Sequence, residues 1–183
     1  MFDGSGFEAG GASVPSNISP WSVVGDESSI EVSTDRSSCF DRNKVALRMK
    51  VLCDGPKSCP AGGVGISNPG FWGMNIEKGH KYKVVFFVKA SGGAIDLQVS
   101  FVGSDNGKLA SKNIRSFDHN VTEWTRMETV LEAKATNHNA SLQITTTNKG
   151  VLWLDQVSAM PLDTYKVRMP ACMHAMLTLF SLL

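Results

Sequence analysis

Tyr82-Lys83-Val84-Val85-Phe86-Phe87-Val88 is the stretch on which the fold class turns. Side chains alternate across a strand with period two, so Tyr82, Val84, Phe86 and Val88 share one face while Val85 and Phe87 take the other. A strand apolar on both faces belongs inside a sheet, with neighbours on either side. A Gly92-Gly93 turn follows, and Ile95-Asp96-Leu97-Gln98-Val99-Ser100-Phe101 then alternates. Ile95, Leu97, Val99 and Phe101 are expected inward, with Asp96, Gln98 and Ser100 outward. Asp105-Asn106-Gly107 is a hairpin signal, and Leu109 to Ile114 reads as the returning strand.

The same pattern extends in both directions. Ser29 to Ser33 and Val45 to Val51 alternate; Gly62 to Asn68 and Met74-Asn75-Ile76 read as shorter strands. Trp124 to Leu131 and Val151 to Val157 continue the series. In Ser141 to Thr147, Leu142 and Ile144 are expected inward, Gln143 and Thr145 outward. Many short strands separated by turn signals describe an antiparallel sandwich or barrel. The organisation expected is an irregular N-terminus over 1–4, an all-β sandwich over 5–162, and a linker with a hydrophobic, irregular or helical tail over 163–183.

A chain of 183 residues is one ordinary domain, and 42% hydrophobic with 19% charged residues suits a packed core. A net charge of +1, with no run of Lys or Arg, argues against a nucleic-acid partner. The stretch Ala171 to Leu183 is shorter than the roughly 20 residues of a membrane span. Met1-Phe2-Asp3-Gly4 is not a signal peptide. Cys53 and Cys59 bracket Asp54-Gly55-Pro56-Lys57-Ser58, which can turn tightly enough to join them in a disulfide. The sequons at Asn120 and Asn139, with a weaker one at Asn17, lean toward a secretory origin.

Catalytic chemistry finds little support. His80, His119, His138 and His174 are expected at turns or in the tail, where a histidine is ordinarily solvated. No Ser lies in a nucleophile elbow, no glycine-rich loop opens a helix, and no motif pairs two carboxylates across a sugar. The four Trp say more. An aromatic face stacks on the C–H face of a sugar while Asn, Gln, Asp or Arg bond its edges. Trp21 and Trp124 are expected in the core. Phe71-Trp72 follows the turn Asn68-Pro69-Gly70 and is placed at a sheet rim. Trp153 faces away from Leu152 and Leu154. Glu8 and Asp155 lie near the two ends of the domain, where terminal strands meet and hard oxygen ligands suit Ca²⁺; an ordinary polar edge is the simpler reading of the residues alone.

Gly6-Phe7-Glu8-Ala9-Gly10-Gly11, Trp21, Gly79-His80-Lys81-Tyr82-Lys83-Val84, Trp124 and Leu152-Trp153-Leu154-Asp155-Gln156-Val157 resemble the CenC-type carbohydrate-binding module. The stretches Asn68-Pro69-Gly70-Phe71-Trp72-Gly73-Met74-Asn75-Ile76 and Asp155-Gln156-Val157-Ser158-Ala159-Met160-Pro161 resemble plant α-L-arabinofuranosidases of glycoside hydrolase family 51. The resemblance covers about residues 5–168. It implies a galactose-binding-like jelly roll, an extracellular cell-wall setting, and arabinose-bearing polysaccharide such as arabinoxylan or arabinan as partner. It also implies a (β/α)-barrel that carries catalysis in the parent, before which this chain stops, so no catalytic residue is expected here. A structural Ca²⁺ at Glu8 and Asp155 follows from the same resemblance; it identifies no third protein ligand, a place that Asp26 or Glu27 could take. Together the outward polar residues and aromatics give a candidate carbohydrate-binding set: Phe71, Trp72, Asn75, Gln98, Gln143 and Trp153. A domain that only scaffolds the barrel is the alternative.

Overall fold

The computed structural model describes residues 6–10, 17–41, 44–92, 95–116 and 121–163. After a 3-10 turn at Glu8–Gly10 the chain forms strands β1 (Ser22–Val24), β2 (Ile30–Asp35), β3 (Ala46–Val51), β4 (Val64–Asn68), β5 (Met74–Ile76) and β6 (Lys81–Ala90). It continues with β7 (Asp96–Val102), β8 (Lys108–Arg115), β9 (Thr125–Glu132), β10 (Asn137–Thr146) and β11 (Gly150–Pro161). One antiparallel sheet runs β1-β4-β10-β7-β8, with β5 also paired to β10; the other runs β2-β3-β11-β6-β9. Strand β6 has β11 and β9 as neighbours, as its two-sided apolar pattern predicts.

The core lies between the sheets. Tyr82, Val84, Phe86 and Val88 of β6 meet Leu47 and Met49 of β3 and Leu154 of β11 on one inner face. Leu97, Val99 and Phe101 of β7, Leu142 and Ile144 of β10 and Ile66 of β4 supply the other. The rings of Tyr82 and Phe101 cross the interface edge to face at 5.3 Å. Each such fully buried large side chain contributes about 1.5–3 kcal/mol relative to exposure. Asn106, at φ 62°, turns the chain between β7 and β8, and Gly103 N–H donates to Gly107 O at 2.8 Å.

Four expectations change. Trp21 is buried as foreseen, but Trp124 is only half-buried, because its indole Nε1 reaches out to donate to Ser37 O at 2.9 Å. His138 lies within β10, not in a turn, since that strand begins four residues earlier than its alternation suggested. Strand β1 escaped notice: three residues, Ser22-Val23-Val24, are too short to show a period. Ser100 faces outward yet is 2% exposed, a point taken up below. Asn120, His119, His174 and the tail over 164–183 lie outside the described residues. Among the described residues no helix is long and apolar enough to cross a membrane.

Gly65 sits where β4 meets β10, and a Cβ there would overlap the carbonyl of Ile144. Gly65→Ala is expected to lower unfolding free energy by about 1–3 kcal/mol, the usual range for overpacking. A urea titration checks it by a lower midpoint at unchanged slope.

Candidate functional site

The outer face of the β1-β4-β10-β7-β8 sheet follows from register. Opposite residues share a face, so Ser22, Ser67, Gln143, Ser100 and Ser111 form one outward row across five strands. Gly65, Thr145, Gln98 and Asn113 form the next. Asp96 and Arg115 begin a third. The central members, Gly65, Ser67 and Ser100, carry little or no side chain, while Gln, Asn, Lys and Arg flank them. Short residues between long ones make the middle of this face a shallow hollow, and Ser67 and Ser100 there are nearly covered although they face away from the core.

At the Thr145 end of this face lies a cavity of about 280 Å³, whose lining includes Gln98 but not Gln143, Gly65, Ser67 or Ser100. Asp96, Gln98, Asn113, Arg115 and Lys108 line one side of it, and Pro60-Ala61-Gly62-Gly63 the other. The polar side chains hold one another in place. Lys108 Nζ donates to Gln98 Oε1 at 2.6 Å, Gln98 Nε2 to Asn113 Oδ1 at 3.2 Å, and Arg115 Nε to Asp96 Oδ2 at 2.9 Å. Each retains further donors or acceptors, and such fixed groups suit a ligand rich in hydroxyls. Thr145 Oγ1 donates to Gly62 O at 2.9 Å, which draws the rim over the floor and accounts for the burial of Thr145.

The rim is stapled. Cys53 and Cys59 form the disulfide foreseen from their spacing, with Cα atoms 5.1 Å apart. Gly55 N–H donates to Thr147 O at 2.7 Å, so the stapled turn is hung on the chain just past β10. Pro56, inside the stapled turn, and Pro60 just beyond it, both line the cavity.

The expected carbohydrate-binding residues divide into three places. Gln98 and Gln143 are diagonal neighbours on the hollow face. Phe71 and Trp72 stand 62% and 86% exposed on the loop between β4 and β5, their rings edge to face at 4.8 Å. Asn75 is close by on β5, where its Oδ1 contacts His138 Nδ1 and its Nδ2 donates to Glu77 Oε1 at 2.8 Å. Trp153 is on the other sheet altogether, half-buried, with Nε1 donating to Asp35 Oδ2 at 2.7 Å and Lys89 Nζ 5.2 Å from its ring centre. Its outward orientation is as expected, but it does not join Gln98 and Gln143. Asp96, Lys108, Asn113 and Arg115 were not singled out from the sequence. The hairpin turn held the signal: folding β8 back on β7 sets Arg115 opposite Asp96.

Glu8 and Asp155 reach the same end of β3. Val45 N–H, one residue before that strand, donates to Glu8 Oε1 at 2.9 Å. Asp155 follows Leu154, which pairs with Leu47. Glu8 is exposed, whereas Asp155 is fully buried. Asp155 Oδ2 accepts from Ser38 Oγ at 2.7 Å and from the amide and thiol of Cys39 at 3.3 Å; Oδ1 accepts from Gln156 N–H at 2.7 Å. All these donors are neutral, and with Gln156 Nε2 at 3.5 Å from Oδ1 they occupy the carboxylate's lone-pair sites; a hard cation held here by Asp155 and Glu8 would have to displace one of them. Asp26 and Glu27 do not fit as a third. They precede Ile30, which pairs with Val51 at the opposite end of β3, and the Asp26 carboxylate is occupied by Ser28 and Ser29. Those hydroxyl bonds, Ser28 first, hold its pKa below the usual value. Among the described residues no three His, Cys, Asp or Glu cluster as cation ligands. Burial first, then the charge of Asp155, pushes the Cys39 thiol up to about 12, so it stays protonated at neutral pH.

No family model matches the chain. Its sequence is 62% identical to Alpha-L-arabinofuranosidase 2 of Arabidopsis thaliana over 162 residues, 88% of this chain and 24% of that protein. The chain is a homologue of one segment of the Arabidopsis α-L-arabinofuranosidases. It spans about a quarter of the length of that curated relative. The fold is shared more widely. An arabinose-bound MgGH51 α-L-arabinofuranosidase superposes with a TM-score of 0.65 at 20% identity, covering 78% of this chain and 23% of that one. The CBM22-1 xylan-binding domain of Paenibacillus barcinonensis Xyn10C gives 0.52 at 12% identity, covering 78% and 85%. The chain therefore shares its β-sandwich fold with these solved structures.

Replacing Cys53 and Cys59 together by Ser releases a seven-residue loop, a loss of about 2 kcal/mol on loop-closure entropy. The thermal midpoint of the chain is expected to fall by roughly 4–8 °C. Calorimetry of the oxidised chain and the double variant checks it.

Proposed function

We propose that this chain is a non-catalytic carbohydrate-binding module that takes arabinose-bearing cell-wall polysaccharide, such as arabinoxylan or arabinan, on the hollow outer face of the first sheet. One observation carries the reading: Gln98 and Gln143 stand on a face floored by Gly65, Ser67 and Ser100, beside a rigid cluster of Asp96, Asn113 and Arg115. A sugar chain presents hydroxyl edges that such fixed amides and charges can pair with. The arabinofuranosidase relative and the xylan-binding domain of like fold support the choice of polysaccharide. In this reading, hydrolysis belongs to a barrel domain of the parent protein, the setting is the extracellular wall, and the module holds substrate near that barrel.

Isothermal titration with arabinoxylan and arabinan oligomers tests the reading. Gln143→Ala and Gln98→Ala each remove neutral hydrogen bonds worth about 0.5–1.5 kcal/mol, so each is expected to weaken binding roughly three- to tenfold. Absence of heat with every wall glycan would instead favour a domain that only scaffolds the barrel.

The same reading includes a structural Ca²⁺ held by Asp155 and Glu8, tying the N-terminal segment to β11. Added Ca²⁺ is expected to raise the thermal midpoint, by about 2.7 kcal/mol of stability at a hundredfold excess over Kd, and excess chelator to reverse it. Asp155→Asn should abolish that response; an unchanged midpoint in the parent chain would remove the ion from the account.

A further inference from the structure

The exposed pair Phe71 and Trp72 is left unexplained by the hollow face. A Trp 86% exposed is unusual, and here it is not on a loose loop. Asn68 is fully buried, and its Oδ1 accepts from Gly70 N–H at 2.7 Å, which closes the turn from inside. Gly70 and Gly73 adopt φ values of +71° and +87°, conformations that side chains other than glycine rarely allow. Met74 then pairs with Ala140. The loop is thus clamped at both ends, and it holds two perpendicular rings out into water.

What lies beside it is Asn139. A Cβ on Gly73 would overlap Asn139 Oδ1 and come within 3.0 Å of its Cα, so the Gly73 backbone lies directly against this asparagine. Asn139 is exposed and heads the sequon Asn139-Ala140-Ser141. Its N–H donates to Asn137 Oδ1 at 2.9 Å, which anchors the backbone beneath the exposed side chain.

We propose that Asn139 carries an N-linked glycan whose first N-acetylglucosamine packs against Trp72 and Phe71. The Asn139 amide nitrogen bonds to the anomeric carbon of a polyprenyl-pyrophosphate-linked oligosaccharide. The C1–O bond to the pyrophosphate breaks, the lipid pyrophosphate leaves, and the amide loses one proton. The linked sugar begins one residue's width from Trp72, so its C–H face meets the indole without the entropy loss of a free ligand. Aromatic–sugar stacking at Trp72, expected from the sequence, is kept, but the sugar is the chain's own. The inference is independent of the hollow face.

The full chain is made in bacteria, without glycan, and behind a secretion leader in a eukaryotic host. Peptide mass spectrometry with and without N-glycosidase reads occupancy at Asn139; Ser141→Ala removes the sequon while keeping Asn139. Occupancy is expected, and Trp72→Ala should lower the thermal midpoint of the glycosylated chain by about 3 °C more than that of the bacterial chain. An unoccupied Asn139, or an equal shift in both preparations, overturns the proposal. So does a loss of arabinoxylan binding in bacterial Trp72→Ala, which would assign the rings to the polysaccharide. Binding lost only in Gln98 and Gln143 variants leaves the glycan proposal untouched.

Discussion

Strand β10 is hydrogen-bonded along one side to β7 and along the other to β4 and β5, and most of the candidate surface depends on that one strand keeping its register. Its alternation puts Leu142 and Ile144 in the core and Gln143 and Thr145 on the outer face. A slip by one residue would bury Gln143 and expose Leu142 and Ile144, losing several kcal/mol of apolar burial. The core therefore positions the polar face: Gln143 points outward because its two neighbours are pinned inward. The stapled turn hangs on Thr147, just past the end of this strand, and near its start lies Asn139, against which the Phe71–Trp72 loop rests.

The two outer faces of the sandwich differ in how their charges are spent. On the β2-β3-β11-β6-β9 sheet, Lys50 pairs with Glu31 at 3.1 Å, and Lys83 and Arg126 reach Glu128 at 2.7 and 2.8 Å. Hydrogen bonds from Lys83 first and Arg126 next hold the Glu128 carboxyl below its usual pKa. Such exposed pairs add little stability, but they close a surface by satisfying donors with acceptors over a wide area. Even Trp153 there is engaged, by Asp35 and Lys89. The opposite face keeps small residues at its centre and polar groups with spare valences at its edge.

Local features were legible in the sequence and long-range ones were not. Tyr82 to Val88 and Ile95 to Phe101 announced their strands and inner faces because period-two alternation is a property of neighbours. The Cys53–Cys59 bridge was legible for the same reason, closing over a short turn. Alternation says which way a side chain points, yet not onto which sheet, so Trp153 and Gln143 looked alike. Nothing near Thr145 in the sequence told of Gly62 folding over it, nor near Ser100 of its burial. Lys108 and Arg115 gained meaning only once the Asn106 turn set their register against β7.

Asp155 shows how position in the fold gives a residue its chemistry. As part of an alternating strand it ought to be an outward, solvated carboxylate opposite Phe87. Gln156 adopts φ 48° and the register with β6 shifts between Asp155 and Ser158, so the strand bulges there. The segment between β2 and β3 folds over this outer face, with the Phe40 ring edge to face on Phe87 at 5.4 Å and Ser38 and Cys39 closing over the Asp155 carboxylate. Neutral donors can satisfy its hydrogen bonds but cannot cancel its charge, and an uncompensated buried charge costs several kcal/mol. A divalent cation shared with Glu8 would cancel it and, in doing so, join the first described residues of the domain to its last strand.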